Sequence, residues 1–253
     1  MEGKIVIVTG ASSGIGRATA FEFVRNGATV IGVGRIDTEL STLRDETNGL
    51  KGALKTYIAD VTEFTQVDRL VRETAEKYAQ IDVLVNSAGI LKGGNIENTT
   101  VSDWDKMMNI NVRSVFYMVQ KCVPLLEKTK GNVVNVSSVT GLRSFPNVLA
   151  YCVSKAAVDQ LTRCSALELA PKGIRVNAVN PGVTVTNLHK RGGMSDEDYE
   201  KFLANARNTH PLGRAGEASE VADLIYFLAS DRAKWITGAT YSIDGGRALT
   251  CAR

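Results

Sequence analysis

A tyrosine and a lysine one helical turn apart provide the clearest proton-transfer chemistry in the chain. Tyr151 and Lys155 are separated by three residues, and residues 156–161 favour a helix. At that spacing both side chains leave the same helix face. A phenol with a pKa near ~10 is a poor acid or base at neutral pH, but a nearby ammonium lowers that value. We predict that Tyr151 exchanges protons, although the pair alone also fits a surface tyrosine beside a solvated lysine.

A glycine-rich segment near the N-terminus predicts a phosphate-binding loop. The apolar run 4–9 leads into Gly10, Gly14 and Gly16, and a helical pattern follows over residues 17–26. Glycines let the backbone approach a pyrophosphate, and a helix N-terminus supplies free N–H groups. A tight turn without a ligand is the alternative. The strand–loop–helix context favours dinucleotide binding, although the spacing is Gly-x3-Gly-x-Gly and not GxGxxG.

The end of the second apolar run, residues 28–33, predicts which dinucleotide is used. An acid at such a strand end accepts the ribose hydroxyls and indicates NAD. Here Gly34 and Arg35 follow, and a guanidinium suits the 2′-phosphate of NADP through forked, charge-assisted hydrogen bonds. Asp37 is a rival acid, but its position favours capping the next helix. We expect NADP over NAD, and the alternative for Arg35 is a solvated surface charge.

Apolar runs that alternate with helical patterns predict the scaffold that positions these residues. We expect about seven strands, at residues 4–9, 28–33, 53–59, 81–85, 131–136, 174–180 and 239–243. Because helical stretches separate them, right-handed crossovers should join them into one parallel sheet. No linker divides the chain. We therefore predict a single Rossmann-type, doubly wound α/β domain over residues 1–253, with a small substrate lobe near 187–213.

The ends of the predicted strands carry the remaining candidate site residues. Ligands bind such sheets outside the carboxyl ends of the strands. We expect one crevice to be lined by residues 10–16, Arg35, Asp60, residues 86–89, Ser138 and residues 181–186. This convergence is the main reason to treat Tyr151 and Lys155 as functional.

Two asparagines interrupt the helical stretch predicted over residues 101–126. Asn109 and Asn111 lie inside it, where an amide side chain competes with backbone hydrogen bonds. The spacing leaves open whether they indicate a function or a local distortion of the helix. For the helix predicted over residues 63–79, Thr62 or Asp60 should form the N-cap.

Composition excludes several classes of protein. The chain is 44% hydrophobic and 23% charged with a net charge of +3, and its scattered basic residues predict no nucleic-acid or membrane surface. Four cysteines (Cys122, Cys152, Cys164 and Cys251) form no CxxC pair, so we expect reduced thiols. We find no signal-peptide pattern and no apolar run of about 18 residues. A cytoplasmic protein is expected.

The motifs, taken in order, resemble those of the short-chain dehydrogenase/reductase family. They are Thr9-Gly10-x3-Gly14-x-Gly16, Asp60, Asn86-Ser87-Ala88-Gly89, Asn111, Ser138, Tyr151-x3-Lys155 and Pro181-Gly182. The resemblance covers essentially the whole chain, and within the family the chain is similar to 3-oxoacyl-carrier-protein reductases. Ser87 replaces the usual second asparagine. Ser13 stands where many NADP-using members carry Lys or Arg, so the NADP prediction rests on Arg35 and the missing acid.

The resemblance implies a catalytic set of four residues. Tyr151 would exchange a proton with the substrate oxygen, and Ser138 would hydrogen-bond the same oxygen. Lys155 would lower the pKa of Tyr151 and bind the nicotinamide ribose. Asn111, in a locally opened helix, would hold a water in a proton relay. Hydride would pass directly from the nicotinamide carbon, and no metal is expected.

The same resemblance implies the cofactor contacts and the reaction. The expected contacts are Gly10, Ser12, Ser13, Gly14, Ile15, Gly16, Arg35, Asp60, Val61, Asn86, Ala88, Gly89, Tyr151, Lys155, Pro181, Gly182, Val183, Thr184 and Thr186. The expected reaction is NADPH-dependent reduction of a ketone to a secondary alcohol. The alternatives are an NAD-linked alcohol dehydrogenase working oxidatively and a cofactor-binding protein without catalysis.

Substrate and assembly stay open at this level. A 3-oxoacyl thioester, a steroid-like ketone and a small xenobiotic carbonyl all fit. We expect His189 and His210 to pack the lobe, and Arg143 and Arg191 are either anion contacts or solvated charges. The family resemblance implies a homo-oligomer, a tetramer or dimer, for which the apolar face of the last predicted strand, with Trp235 and Tyr241, is a candidate contact.

Overall fold

A parallel sheet forms the centre of the computed structural model, which describes residues 1–250. Its strands are β1 (Ile5–Thr9), β2 (Thr29–Gly34), β3 (Ala53–Ile58), β4 (Val83–Asn86), β5 (Asn132–Val136), β6 (Arg175–Pro181) and β7 (Thr240–Ile243). Their spatial order is β3-β2-β1-β4-β5-β6-β7, and every neighbouring pair is parallel. The predicted seven-stranded parallel sheet is confirmed. Cys251 lies outside the described residues.

Helices cover both faces of the sheet. They are α1 (Gly14–Arg25), α2 (Asp37–Glu46), α3 (Phe64–Tyr78), α4 (Val101–Met108), α5 (Ser114–Thr129), α6 (Val139–Leu142), α7 (Leu149–Leu169), α8 (Leu188–Arg191), α9 (Asp196–Ala204), α10 (Ala206–Thr209) and α11 (Ala218–Ala229). One core joins the sheet to α3, α5 and α7, and a second core joins it to α1, α2 and α11. This is the doubly wound arrangement that the sequence predicts.

Strand β1 shows why the apolar runs have no alternation. All five of its residues are buried, with Ile5 and Ile7 in one core and Val6 and Val8 in the other. Because successive side chains of a strand point to opposite faces, a strand covered on both faces must be apolar throughout. The sequence pattern therefore reports burial on both sides.

The predicted helix over residues 101–126 is divided by a π-helical turn, Asn109–Arg113. The helix α4 precedes this turn, and α5 follows it. Such turns commonly occur at functional sites because they redirect a side chain within a helix. Here the redirected residue is Asn111, which is buried. The two asparagines therefore mark a local distortion of the helix.

Two predicted helix caps are wrong. Asp37 is the first residue of α2, whose N-cap is Ile36, so its carboxylate lies in the first turn and makes no capping hydrogen bond. The N-cap of α3 is Glu63. Asp60 instead accepts hydrogen bonds from the amide and hydroxyl of Thr62, which closes a local turn before the helix begins.

The lobe between β6 and α11 consists of the three short helices α8, α9 and α10. It interrupts the alternation of strands and helices at the predicted place, near residues 187–213. Among residues 1–250, no helix combines the length and apolar character needed to cross a membrane.

Candidate active site and cofactor cleft

The glycine loop packs so closely that side chains are excluded at two positions. Gly10 has a φ of +69°, and a Cβ added there would lie 2.9 Å from the Cα of Ala88. A Cβ added to Gly16 would lie 2.3 Å from the carbonyl oxygen of Gly10. Gly14 faces the Thr186 side chain, since an added Cβ would lie 3.1 Å from Cγ2 of that residue. The loop therefore brings the N-terminus of α1 against the ends of β4 and β6.

The loop after β4 is tied to β1 by hydrogen bonds. The Thr9 hydroxyl accepts from the amides of Ser87 and Ala88 at 3.1 and 3.2 Å. The Asn86 amide is buried and donates to Oδ1 of Asn135 at 2.9 Å. The Asn86 side chain thus links two neighbouring strands.

Tyr151 and Lys155 lie on α7 at the carboxyl end of the sheet, as the spacing predicts. Each is only 6% exposed. The Lys155 ammonium lies 5.6 Å from the centroid of the Tyr151 ring and donates to the carbonyl oxygen of Val136, the last residue of β5, at 2.8 Å. The Ser138 side chain acts on the Tyr151 hydroxyl as a hydrogen-bond partner that lowers the pKa of Tyr151. Three of the four predicted catalytic residues therefore meet.

Burial decides the protonation states of this pair. Burial raises the pKa of Tyr151 to about 12, and the hydrogen bond with Ser138 opposes this only in part. Burial also lowers the pKa of Lys155 to about 8, against the opposing charge of Asp159. The predicted lowering of the Tyr151 pKa is not found in this structure, because desolvation of the phenolate outweighs the hydrogen bond with Ser138. Tyr151 is therefore neutral at physiological pH.

Asn111 lies next to this pair because the π-helical turn points its side chain inward. Its Oδ1 accepts from the amide of Ile90 at 2.9 Å, and its Nδ2 donates to the Ile90 carbonyl oxygen and to Oγ of Ser154. A Cβ added to Gly89 would lie 3.3 Å from Asn111 Oδ1 and 3.7 Å from Lys155 Nζ. The four predicted catalytic residues thus share one region.

Sequence reasoning missed a buried carboxylate under the site. Asp159, one turn beyond Lys155 on α7, is buried. Both of its oxygens accept from Nδ2 of Asn180, at 3.1 and 2.9 Å. The same nitrogen donates to the carbonyl oxygen of Ser138 at 2.9 Å. Burial raises the pKa of Asp159, while hydrogen bonds from Ser137 and Asn180 oppose the rise. The available signal was the spacing of Asp159 from Lys155.

Arg35 and Asp60 lie together at the ends of β2 and β3. The Arg35 side chain is 65% exposed, and its Nη1 is 3.5 Å from Oδ2 of Asp60. Burial alone would raise the pKa of Asp60, but hydrogen bonds from Thr62 and the Arg35 charge hold it below its usual value. Arg35 is therefore an accessible cation at the predicted position.

Side chains of the lobe hydrogen-bond the backbone of the segment that follows β6. The Thr186 amide donates to the Tyr199 hydroxyl at 3.0 Å, and that hydroxyl donates to the Thr186 carbonyl oxygen at 2.8 Å. Nε2 of the buried His210 accepts from the Val183 amide at 3.2 Å. Burial lowers the pKa of His210, and the Arg247 charge adds to this, so its neutral form suits this contact. His210 packs the lobe, as predicted.

His189 packs within the lobe as well. Its ring centroid is 4.5 Å from that of Phe202, and burial lowers its pKa.

Arg143 donates to the carbonyl oxygens of Ala248 and Thr250. Arg191 bonds Ser13 and Glu39. Arg143 and Arg191, the two candidate anion contacts, therefore both bond other groups of the protein.

The remaining predicted contacts lie in the same cleft. Ser12 and Ile15 belong to the glycine loop, Val61 follows Asp60, and the Thr184 hydroxyl donates to the carbonyl oxygen of Gly182 at 3.2 Å. These residues fit a nicotinamide dinucleotide, because a glycine-rich loop precedes α1 and an exposed cation lies at the end of β2. Within residues 1–250, no three His, Cys, Asp or Glu side chains cluster as metal ligands.

Known proteins resemble this chain over nearly its full length. The family model for enoyl-(acyl carrier protein) reductase matches residues 10–248. The 3-oxoacyl-[acyl-carrier-protein] reductase FabG of Thermotoga maritima is 42% identical over 97% of this chain and 98% of its own length. The meso-2,3-butanediol dehydrogenase of Serratia marcescens is 36% identical, with 97% and 94% covered.

Solved structures agree with this resemblance. A short-chain dehydrogenase/reductase of unknown function from Caenorhabditis elegans, determined with cofactor, superposes with a TM-score of 0.93 at 35% identity, covering 99% of this chain and 97% of that one. The ligand-free aldohexose dehydrogenase of Thermoplasma acidophilum gives 0.88 at 34% identity, covering 100% and 96%. The chain belongs to the short-chain dehydrogenase/reductase family and is an NAD(P)-dependent oxidoreductase acting on CH–OH or C=O groups.

Proposed function

We propose that the protein is an NADPH-dependent carbonyl reductase that converts a ketone to a secondary alcohol. The observation that carries this proposal is a buried, neutral Tyr151 hydroxyl beside Ser138 and Lys155, at the edge of the sheet that carries the glycine loop. A neutral phenol is the form that can donate a proton to a carbonyl oxygen. NADPH, when bound, supplies the hydride for the carbonyl carbon.

The residues divide the proton chemistry among themselves. Ser138 and Tyr151 both present hydroxyls to the carbonyl oxygen, which fixes its position. As negative charge develops on that oxygen, Tyr151 transfers its proton and becomes a phenolate. The Lys155 ammonium, 5.6 Å from the Tyr151 ring centroid, stabilises this phenolate. Asn111 lies beside Lys155 and would hold the water through which Tyr151 regains a proton from solvent.

The preference for NADPH rests on the end of β2. Gly34 offers no carboxylate to the ribose, and Arg35 is accessible there. A forked guanidinium binds a phosphate through two hydrogen bonds. The name of the Thermotoga relative makes a 3-oxoacyl thioester the first substrate to test, followed by steroid-like and small xenobiotic ketones.

The catalytic proposal is tested by measuring cofactor oxidation with a panel of ketones and both cofactors. Tyr151→Phe removes the proton donor and should lower kcat by roughly 10²–10⁴-fold, while NADPH binding measured by fluorescence is retained. Tyr241→Phe is the matched control, because Tyr241 lies on β7 and packs against the core that the sheet shares with α1, α2 and α11, and should be fully active. Full activity in Tyr151→Phe would refute the mechanism.

The cofactor proposal has its own test. Arg35→Ala should raise the Michaelis constant for NADPH far more than that for NADH, because only NADPH carries the 2′-phosphate. Arg44→Ala, an exposed arginine of α2 that bonds only Ser41 among the described residues, serves as the control. Equal changes for both cofactors would favour an NAD-linked dehydrogenase working in the oxidative direction.

We also propose a homo-oligomer, a dimer or tetramer, in the cytoplasm. Exposed apolar side chains support association: Phe116 on α5, Leu167 on α7 and Trp235, which is 98% exposed. Three unpaired thiols, Cys122, Cys152 and Cys164, support a reducing compartment. Light scattering on the purified protein tests the assembly, and a monomer at micromolar concentration would contradict it.

A further inference from the structure

We propose that Arg191 is a second cation that binds the 2′-phosphate of NADP, and that Glu39 competes with this phosphate for the Arg191 guanidinium. The inference rests on the proposed use of NADP. Arg191 is the last residue of α8 in the lobe. Its Nη1 donates to Oγ of Ser13 at 2.8 Å, and its Nη2 pairs with Oε1 of Glu39 at 2.7 Å. One side chain thus connects the lobe to both α1 and α2.

Ser13 and Glu39, the two partners of Arg191, lie next to the proposed binding site of the adenosine ribose. Ser13 is the N-cap of α1, and Glu39 lies in the first turn of α2, which begins two residues after Arg35. The glycine loop and the end of β2 are in contact here, since a Cβ added to Gly34 would lie 3.3 Å from Cβ of Ser12. Because the ribose substituents are read at this strand end, the Arg191 guanidinium is placed within reach of a phosphate at the 2′ position.

Glu39 holds Arg191 only weakly. The pair is partly exposed, at 46% for Arg191 and 32% for Glu39, and solvent weakens such pairs. Oε2 of Glu39 is buried and has no hydrogen-bond partner among residues 1–250, which is an unfavourable state for a carboxylate oxygen. An ion pair with one unsatisfied oxygen is readily exchanged for a better anion.

A phosphate is that better anion. It carries more charge than a carboxylate, and the planar guanidinium binds two of its oxygens at once. The nearby Arg17 is already engaged, because it donates to the Glu39 carbonyl oxygen and pairs with Glu46. Arg191 is therefore the cation that can change partners, and its transfer from Glu39 to the phosphate would couple lobe position to the cofactor.

This competition can be distinguished from a structural latch, by which we mean an Arg191–Glu39 ion pair that only holds the lobe in place. If Arg191 and Glu39 only fasten the lobe, removing either side chain breaks the same bond and weakens cofactor binding in the same direction. If they compete as we propose, the two substitutions act in opposite directions on ligands that carry a 2′-phosphate. Ligands without that phosphate should respond little to either substitution.

The test measures binding by calorimetry at low salt, with adenosine 2′,5′-bisphosphate and with 5′-AMP as the ligand lacking the 2′-phosphate. Arg191→Ala should weaken bisphosphate binding about tenfold, the loss of one charge-assisted pair, and change 5′-AMP binding by less than about twofold. Glu39→Gln should tighten bisphosphate binding severalfold. Lys190→Ala, the neighbouring lysine of α8 that pairs with Asp196, is the matched control and should change neither ligand.

Each other outcome overturns the inference. Weakening by both Arg191→Ala and Glu39→Gln would identify a structural latch, and so would equal losses for both ligands. An unchanged bisphosphate affinity in Glu39→Gln would remove the competition. If the wild-type protein binds both ligands equally, the proposed use of NADP fails as well. If the wild type prefers the bisphosphate and Arg191→Ala keeps that preference, only the role of Arg191 is wrong.

Discussion

The catalytic centre and the lobe at residues 187–213 are held in place by different kinds of interaction. Around Lys155 and Asp159 the polar groups are buried and bonded to other buried groups, such as Asn180. In the lobe the charged pairs, such as Lys201 with Glu197, are exposed, and solvent screens them. Burial thus fixes the reacting groups, whereas the lobe depends on a few hydrogen bonds. Binding segments are commonly drawn from such less stable parts of a fold.

The largest difference should appear when one asparagine is removed from each region. Asn180→Ala deprives the buried Asp159 carboxylate and the Ser138 carbonyl oxygen of their shared donor. We expect the free energy of unfolding to fall by roughly 3 kcal/mol or more, because an uncompensated buried charge is costly. Asn208→Ala in the lobe loses one exposed bond to Asn205, and should cost less than about 0.5 kcal/mol. Urea unfolding measures both.

A double substitution sharpens this result. Adding Asp159→Asn to Asn180→Ala removes the stranded charge, so the double variant should be more stable than the sum of the two single losses predicts. Equal costs for Asn180→Ala and Asn208→Ala would contradict the contrast between the two regions.

An intermediate effect is expected in how the free energy of unfolding depends on pH through two lysines, Lys155 and Lys190. The pKa of the buried Lys155 is lowered to about 8, so the folded protein loses this proton between pH 8 and about 10.5 while the unfolded chain retains it. Unfolding then takes up a proton, and stability rises with pH in that window. Relative to Lys155→Met, the wild type should gain about 3 kcal/mol from pH 8 to 10.5.

The lobe supplies the control for that measurement. A hydrogen bond with Asp196 raises the pKa of Lys190 above its ordinary value, so this lysine does not titrate between pH 8 and 10. The stability difference between wild type and Lys190→Met should be flat there. Thermal unfolding at several pH values tests both, and a flat difference for Lys155→Met would mean that its ammonium is not destabilised by burial.

The smallest effect is expected at the point where the lobe holds the segment after β6. Tyr199→Phe removes both hydrogen bonds with Thr186, and should cost about 1–2 kcal/mol. NADPH affinity should fall severalfold while the rate of the chemical step is retained. Tyr78→Phe on α3 is the control and should change neither quantity. A cost as large as that of Asn180→Ala would show that the lobe is fixed as firmly as the catalytic centre.

Much of the fold was predictable because its signals are local. Unalternating apolar runs such as residues 4–9 identified strands buried on both faces, and the glycine spacing of residues 10–16 identified the loop that opens α1. The positions of Tyr151 and Lys155 on one helix face follow from helical geometry alone. Asn109 and Asn111 indicated an irregularity, although its π-helical form came from the structure.

The sequence by itself determined the order of strands and helices, the family, and the chemical types of the residues at the strand ends. Only the tertiary structure decided how those residues behave. The pKa of Tyr151 depends on a balance between burial and its hydrogen bond with Ser138, and the bonds of Asp159 to Asn180 and of Arg191 to Glu39 join residues far apart in the chain. Hydrophobic periodicity records which face of an element is buried, but desolvation and long-range hydrogen bonds depend on three-dimensional distances that periodicity does not contain.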